Sequence, residues 1–194
     1  MAARRAAKAN RRKAIVAQKR KDEAAWGTMA GQVARAAALP IQCCVFTEAL
    51  FETGIGSLVL ARGTTATPLV VAGFLLDSFC LGVKDVLFQT MSQRALEIHL
   101  DLLGQATPLA QVDPAYGRKL LRDLTRWSAS LGFHPPREFA AAERLFGNVD
   151  PRACTTEFTF GAHGKPLLIS DLSDLEQLNE QFEPDGFEHL IEAE

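Results

Sequence analysis

Short apolar segments bounded by glycine, proline and polar residues predict three β-strands in the first half of the chain. The segments are residues 41–47 (IQCCVFT), 56–62 (GSLVLAR) and 69–77 (LVVAGFLLD). The third segment is apolar on both of its faces, which is typical of a strand in a sheet that is covered on each side. We therefore expect residues 69–77 in the middle of a sheet.

Beyond residue 85 the spacing of apolar residues changes to three and four, which predicts helices. Asp85 is a fitting N-cap for the first helix, and Gly104 is a fitting end. The apolar face of this helix is made by Leu87, Met91, Ala95, Ile98 and Leu102. A second helix is predicted from its N-cap Asp113 to a stop at Gly132, and a third over about residues 136–146.

The last part of the chain predicts a hairpin and a closing helix. Residues 155–160 (TTEFTF) and 166–170 (PLLIS) flank the loop GAHGK, in which Gly164 supplies a positive φ angle. An amphipathic helix is expected after Ser170 or Asp171, with an apolar face of Leu172, Leu175, Leu178 and Phe182. These elements predict an α+β fold with a small mixed or antiparallel sheet and three to four packed helices.

Residues 1–37 are rich in alanine, arginine and lysine, which favour helix, but their first half has no sustained apolar stripe. We expect a basic N-terminal arm that is a solvated helix or a disordered segment that orders on binding. Trp26, Met29 and Val33 are spaced three and four apart, so docking onto the domain is expected to begin there. The predicted organisation is this arm followed by a single α+β domain over residues 38–194, with an acidic C-terminal end.

The composition is that of an ordinary soluble protein, with 47% apolar and 23% charged residues among 194. It excludes collagen-like, wholly disordered and disulfide-dense classes. No apolar core of a signal peptide is found, and the longest apolar stretch, residues 68–76, is too short to cross a bilayer. We therefore expect a cytoplasmic protein with no membrane insertion and with reduced thiols at Cys43, Cys44, Cys80 and Cys154.

The net charge of −2 hides an uneven distribution of charge along the chain. Nine basic residues and no acid precede Asp22: Arg4, Arg5, Lys8, Arg11, Arg12, Lys13, Lys19, Arg20 and Lys21. From Asp171 onward there are nine acids and neither lysine nor arginine. The two ends of the chain therefore carry opposite charge and favour different partners.

The stretch FLLDSFCLGVKD, residues 74–85, holds the candidate catalytic groups Asp77, Lys84 and Asp85. Asp77 is predicted at the exit of a buried strand, where groups that contact ligands lie in open sheets and where strands also end in water. A catalytic arrangement would bring all three side chains to one cleft, where Lys84 and Asp77 shift each other's pKa. In the alternative, structural interpretation, Asp85 caps the following helix, Lys84 is solvated and Cys80 is a small apolar core residue.

The same stretch carries a resemblance to a known group of proteins. GIGSLVLARG, VVAGFLLDSFCLGVKD, LGFHPPREF and FTFGAHGKPLLIS occur in this order. Together they resemble a family of uncharacterised bacterial proteins with an FLxDxxCLGVKD segment and an FGxxGKP hairpin. The resemblance covers roughly residues 48–170. It implies a bacterial cytoplasmic protein with one continuous domain, and it implies no activity.

The sequence predicts no metal site, no cofactor and no covalent catalysis. Its four histidines are scattered, and neither Cys-x-x-Cys nor His-x-x-x-His spacing occurs. Cys43 and Cys44 are adjacent, so in a strand they point to opposite faces and cannot chelate together. No Gly-x-Ser-x-Gly elbow is found, and GAHGKP departs from the phosphate-loop pattern because Pro166 follows Lys165.

The basic arm predicts a function most directly. Its cations neutralise phosphates and release counterions, which favours binding to RNA or another polyphosphate with an affinity that falls as salt rises. We therefore predict a non-catalytic protein that binds structured or ribosomal RNA through the arm. Two alternatives stay open. One is an enzyme with a cleft around Asp77, Lys84 and Asp85, and the other is a protein–protein assembly module in which oppositely charged chain ends associate and salt weakens the association.

Overall fold

The computed structural model describes residues 28–64, 67–170 and 188–191. Its main sheet consists of β1 (Ile41–Thr47), β2 (Ile55–Arg62), β3 (Leu69–Asp77), β4 (Gly82–Met91) and β5 (Leu109–Gln111). The helices are α1 (Met29–Ala36), α2 (Leu50–Thr53), α3 (Gln93–Ala106), α4 (Pro114–Ser130) and α5 (Phe139–Glu143), with 3₁₀ turns at Arg144–Phe146 and Pro151–Ala153. β6 (Leu167–Ser170) and β7 (Glu188–Ile191) form a second, two-stranded sheet. The fold is therefore α+β, as predicted.

The main sheet is antiparallel throughout, with the strand order β4-β3-β2-β1-β5. The predicted strands 41–47 and 69–77 have the predicted bounds, and β2 begins one residue before the prediction, at Ile55. β3 lies between β4 and β2 and is buried along most of both faces. The prediction that residues 69–77 form an inner strand is confirmed.

One face of the sheet, which we call the packed face, is covered by α4, α5 and α1. Its core combines alternate strand residues with the apolar side of α4: Cys44, Phe46, Leu58, Leu60, Val70, Ala72, Phe74, Leu76, Leu120, Leu121 and Leu124. α4 approaches β1 closely because Gly117 has no side chain, and a Cβ there would lie 2.8 Å from the Sγ of Cys44. The larger core cluster lies on this face.

The opposite face, which we call the open face, is covered only in part, by α3. Its buried residues are Val45, Val59, Ala61, Leu69 and Val71, packed under Leu96 of α3. Leu96 is the one buried residue of α3. Part of the open face therefore remains in contact with solvent.

α1 packs onto the domain through the residues that the sequence indicated. Val33 and Ala36 are buried in the core, and Met29 packs against it. The prediction that docking involves Met29 and Val33 is confirmed, while Trp26 and the nine cations of the arm lie outside the described residues.

A buried arginine at the end of β2 holds the chain after α1. The guanidinium of Arg62 donates hydrogen bonds to the carbonyls of Ala37 and Leu39, and also to that of Phe146 at 2.7 Å. The neighbouring Gly147 has a positive φ of 60°, and a Cβ at this position would collide with the carbonyl of Ala37. Arg62 therefore joins β2, α1 and the 3₁₀ turn after α5.

The helix predicted from Asp85 is wrong over its first half, which is the strand β4. Val83, Val86 and Phe88 alternate toward the packed face, and β4 pairs with β3 along its length. α3 begins only after its N-cap Ser92, whose Oγ accepts from the N–H of Ala95 at 3.2 Å. The helix also continues past Gly104 to Ala106. The prediction failed because Leu87 and Met91 fit both a strand and a helix spacing, and cross-strand pairing with β3 decided between them.

The helix predicted from Asp113 is confirmed as α4. The Asp113 carboxylate accepts from the N–H of Ala115 at 2.7 Å, which caps the helix. Gly132 has the positive φ of a helix stop, 91°. The predicted third helix is confirmed in part, because α5 covers Phe139–Glu143 and a 3₁₀ turn continues to Phe146.

The hairpin predicted around GAHGK is wrong in its first strand and in its pairing, whereas its second strand, predicted over residues 166–170, is confirmed as β6. Residues 154–160 form no strand and instead place Phe158 and Phe160 against Phe51 and Trp127. β6 pairs with β7 in parallel register. The prediction of a positive φ at Gly164 is confirmed, at 82°. The aromatic residues of 155–160 are therefore used for packing, and the closing helix predicted after Ser170 lies outside the described residues.

No helix in the described ranges is long and apolar enough to cross a membrane.

Candidate functional site

Asp77, the first candidate residue, lies at the end of β3 in the buried turn that leads to β4. Its side chain is fully buried. Oδ1 accepts hydrogen bonds from the backbone N–H groups of Phe79 at 2.9 Å and Cys80 at 2.8 Å. Such a turn, in which a carboxylate replaces a backbone acceptor, is stabilised locally by the aspartate. Asp77 therefore shapes the connection between the two strands.

Burial raises the pKa of the Asp77 carboxyl above its ordinary value, although the N–H groups of Cys80 and Phe79 and the charge of Lys84 act in the opposite direction. Oδ2 is buried and has no hydrogen-bond partner among the described residues. Asp77 lines neither the groove between α3 and the sheet nor the cavity at the N-terminal end of α4. The carboxyl is therefore enclosed in the fold and is not presented to a ligand.

The turn after Asp77 connects three parts of the domain. Ser78 Oγ donates to the carbonyl of Leu50 at 2.8 Å, and the Ser78 N–H donates to that of Gly54 at 2.7 Å. On the other side, Gly161 N–H donates to Ser78 O, and Leu167 N–H donates to the carbonyl of the next residue, Phe79. The turn thus links the loop around α2 to the segment before β6.

Cys80 is fully buried in this turn, as the structural interpretation predicted. Burial raises the pKa of its thiol to about 12, with the charge of Asp77 acting in the same direction. A thiol with that pKa stays protonated at neutral pH, and the protonated form is a poor nucleophile. Cys80 therefore serves as a small core residue.

Lys84 and Asp85, the other two candidates, lie on β4 and are exposed. Lys84 is the extra residue of a β-bulge, because Leu75 pairs with Asp85 while Leu76 pairs with Val83. The prediction that Asp85 caps a helix is wrong, since Asp85 lies within a strand and accepts from the N–H of the residue after it at 2.7 Å. No hydrogen bond or ion pair joins any two of the three candidate side chains. The structure does not bring them together around one cleft.

A groove of about 120 Å³ lies on the open face, between α3 and the exposed ends of β3 and β4. It is lined by Ser57, Val59, Gly73, Phe74, Leu75, Asp85, Leu87, His99 and Leu103. Asp85 is the one predicted site residue in this lining, which is otherwise largely apolar. The groove offers mainly apolar contact, and its polar side chains are those of Ser57, Asp85 and His99.

A second cavity, of about 400 Å³, lies at the N-terminal end of α4. Its lining includes Tyr116, Cys154, Thr155 and Thr156. Burial, and secondarily the charge of Cys154, raise the pKa of Tyr116. The carboxylate of Asp113 in the same lining is already engaged as the cap of α4. Sequence reasoning missed this cavity, because its far wall is the irregular segment 153–156, which has no periodic signal.

The basic side chains of the described domain are largely engaged with acids. Six of them form ion pairs: Arg118 and Arg122 with Glu143, Lys119 and Arg126 with Asp123, Arg137 with Glu138, and Arg152 with Asp150. Burial acts to raise the pKa of Glu143, but hydrogen bonds from Arg118 and Arg122 hold it below its ordinary value. On α4, four cations therefore share two carboxylates, those of Glu143 and Asp123.

The cysteines and histidines of the described domain are not grouped. Cys44 is buried on the packed face, and Cys43 packs against the core of the open face, so the two thiols lie on opposite sides of β1 as predicted. Within the described ranges, no three histidine, cysteine, aspartate or glutamate side chains are placed to hold a metal ion together.

Comparison with known proteins found no family model, no curated protein and no solved structure that matches this chain. The resemblance to the family with the FLxDxxCLGVKD segment stays a prediction.

Proposed function

We propose that this chain is a non-catalytic, cytoplasmic protein that binds structured RNA, ribosomal RNA in particular, through its basic N-terminal arm. The observation that carries the proposal is the concentration of nine cations, with no acid, in the first 21 residues. Arginine and lysine at this density bind phosphates and release counterions, and the contacts made in this way require no base specificity.

The charges of the domain support placing the RNA contact on the arm. Nine of the 21 basic residues precede Asp22, which leaves twelve for the rest of the chain. Six of those twelve form ion pairs with acids, and Arg62 is buried against backbone carbonyls. All 23 acids of the chain also lie from Asp22 onward, so the arm offers a phosphate backbone far more net positive charge than the rest of the chain does.

The placement of the candidate catalytic residues also favours a binding function over an enzymatic one. Asp77 is enclosed in a turn, while Lys84 and Asp85 are exposed on β4. General acid–base catalysis requires groups within hydrogen-bond reach of the same substrate atoms. These three side chains do not meet that requirement in the described domain.

A truncation that starts at Asp22 tests the proposal and retains α1 and its N-cap. α1 begins at Met29, and its N-cap Thr28 accepts from the N–H of Gly31 at 3.2 Å, so the cut lies outside the helix and its cap. Full-length and truncated proteins are purified at low salt, and the absorbance ratio at 260 and 280 nm is read before and after RNase. We expect nucleic acid in the full-length sample only, and we expect RNase to remove it. Equal nucleic acid content in both proteins would exclude the arm as the binding element.

A matched pair of double substitutions tests whether the position of the charge matters. Arg12→Gln with Lys13→Gln removes two cations from the arm, whereas Lys84→Gln with Arg144→Gln removes two exposed cations from the domain. The affinity for an RNA hairpin is measured by fluorescence anisotropy at several salt concentrations. We expect the arm variant to reduce the salt slope by roughly one for each lost phosphate contact, and the domain variant to leave it unchanged. Equal effects of the two variants would show that only net charge matters.

A further inference from the structure

Four large apolar side chains are exposed in the described part of the chain, and all four lie on or beside the open face. Leu75 and Leu87 are 38% and 47% exposed on the neighbouring strands β3 and β4, and Ile98 and Leu102 are 50% and 60% exposed on α3. Single exposed leucines are common on protein surfaces, whereas a continuous apolar patch marks an interaction site.

These side chains form one continuous surface. Leu75 and Leu87 line the groove of about 120 Å³ together with His99 and Leu103 of α3. Leu102 directly precedes Leu103 on the same helix. The surface therefore extends from the exposed ends of β3 and β4 across the groove and onto the outer side of α3.

The outer side of α3 carries an apolar stripe that no described element covers. Ala95, Ile98 and Leu102 are spaced three and four apart and are exposed, whereas Leu96 points to the sheet and is buried. This spacing places the three residues on one side of the helix, and it is the spacing by which two helices pack against each other.

Two charged residues flank this stripe in a self-complementary arrangement. Arg94 and Asp101 are both exposed, and neither has an ion-pair partner among the described residues. They are seven positions apart, which is close to two helical turns, so they lie on the same flank of α3 about 10 Å apart along its axis. One end of this flank is therefore positive and the other negative, and between them lies the exposed carboxylate of Glu97, which accepts from the side-chain amide of Gln93 at 3.2 Å.

We propose that the protein forms a symmetric dimer in which the α3 helices of two copies pack antiparallel and cover the apolar stripe of α3 in both copies. A two-fold axis that passes between the two α3 helices, at the level of Glu97 and Ile98, places Arg94 of each copy opposite Asp101 of the other. This symmetry keeps the flank that carries Arg94 and Asp101 on the same side of the interface in both copies. Both Arg94–Asp101 ion pairs therefore form together. An interface of this type is isologous and closed, which limits assembly to two copies.

The dimer interface combines an apolar centre with charged edges. Ile98 and its counterpart form the centre, and Leu102 continues the apolar stripe along each helix, about 7 Å from the level of the axis, while the two Arg94–Asp101 pairs lie on the flank, where water still reaches them. The apolar residues therefore supply the affinity, and the ion pairs select the antiparallel direction.

Sedimentation of the full-length protein, freed of nucleic acid by RNase and high salt, tests the proposal. We expect a dimer whose population rises with protein concentration, and a monomer at the same concentrations for Ile98→Glu, which places a carboxylate of each copy beside the two-fold axis at the centre of the interface. Circular dichroism and urea unfolding of this variant check that the fold is intact, as expected for a substitution at a half-exposed position. A wild-type protein that stays monomeric, or a folded Ile98→Glu variant that still dimerises, would overturn the proposal.

Charge reversal tests the direction of the helices. Arg94→Asp alone and Asp101→Arg alone each replace two attractions with two repulsions, so each is expected to raise the dimer dissociation constant roughly tenfold. The double variant restores both pairs with the charges exchanged, and we expect its dissociation constant to return close to that of the wild type. If the dissociation constant of the double variant is as high as those of the single variants, or higher, the antiparallel arrangement is excluded.

A cysteine placed beside the two-fold axis gives an independent readout. Ile98→Cys brings two thiols together across the axis, and we expect a covalent dimer after mild oxidation. Gln105→Cys is the matched control, because this position is on the same side of α3 but lies roughly 20 Å from its counterpart in the antiparallel pair. The wild-type protein, treated in the same way, reports any background from its own cysteines. Equal cross-linking of both variants would contradict the proposed axis.

Discussion

The two faces of the sheet are built from the same strands but differ in how completely they are covered. Leu75 and Leu76 are neighbours on β3, yet Leu75 is 38% exposed on the open face and Leu76 is fully buried on the packed face. The packed face meets α4, which lies close to β1 because Gly117 leaves room for the Sγ of Cys44. The open face meets α3, which buries only Leu96. One face therefore stabilises the domain, while the other keeps exposed apolar surface at Leu75 and Leu87.

Leucine-to-alanine substitution at these adjacent positions should give the largest difference between the faces. Leu76→Ala opens a cavity in the close-packed core and is expected to lower the free energy of unfolding by about 4 kcal/mol. Leu75→Ala removes the same atoms from a position that is partly hydrated already, so its expected cost is about 1 kcal/mol or less. Urea unfolding measures both values. Similar losses at the two positions would mean that the open face is covered more fully than the structure shows.

Arg62 provides the next test, because it fixes α1 to the packed face. Arg62→Ala removes the donor from three carbonyls, those of Ala37, Leu39 and Phe146, and is expected to cost about 2 to 3 kcal/mol. Arg144→Ala is the matched control, since Arg144 is exposed in the neighbouring 3₁₀ turn. We expect the control to change stability by less than about 0.5 kcal/mol. If the two alanine variants unfold at the same urea concentration, Arg62 contributes no more than a surface charge.

Asp77 tests the buried turn at which β3 passes to β4. Asp77→Ala leaves the N–H groups of Phe79 and Cys80 without an acceptor and is expected to cost about 1 to 2 kcal/mol. Asp77→Asn keeps an oxygen acceptor and removes the buried charge, so it is expected to be at least as stable as the wild type at pH 7.

The difference in the free energy of unfolding between the wild type and Asp77→Asn depends on pH because the pKa of Asp77 is raised in the folded state. Because the pKa is higher in the folded state, folding favours the protonated carboxyl. The wild type is therefore most stable, relative to Asp77→Asn, below about pH 4, where the carboxyl is protonated in the unfolded chain as well. As pH rises from there through the folded pKa, this stability is lost. Urea unfolding from pH 3 to pH 8 measures the change, and the opposite slope would contradict a buried carboxyl that is raised by desolvation.

The strands and α4 were predictable because several local signals agree there. Residues 69–77 are apolar on both faces and bounded by turn residues, and α4 has both its N-cap Asp113 and its stop Gly132. β4 was not predictable in this way, since Leu87 and Met91 satisfy a helix spacing as well as a strand spacing. Only the pairing with β3 distinguishes them, and pairing is a contact between distant residues.

The candidate sites were predictable only in part, because contacts between residues that are distant in the sequence decide their surroundings. The sequence placed Asp77 at the end of a buried strand, but whether a carboxyl there faces a cleft or its own turn depends on the backbone after it. Arg62 was missed because an arginine at a strand end usually predicts a solvated charge. Its carbonyl partners Ala37 and Phe146 lie 25 and 84 positions away. The open face was missed because Ile98 and Leu102 have the spacing of a core face.

Substitution of the two exposed charges on β4 is expected to have the smallest effect and bears directly on the enzyme alternative. Lys84→Ala and Asp85→Ala each remove an exposed side chain, so each should change the free energy of unfolding by less than about 0.5 kcal/mol. Both variants should also bind RNA as the wild type does, because neither residue lies in the arm. The measurements are urea unfolding and RNA affinity on the same samples. A stability loss above about 1 kcal/mol in Lys84→Ala would mean that its charge stabilises the buried Asp77 carboxylate, and the two residues would then have to be treated as a functional pair.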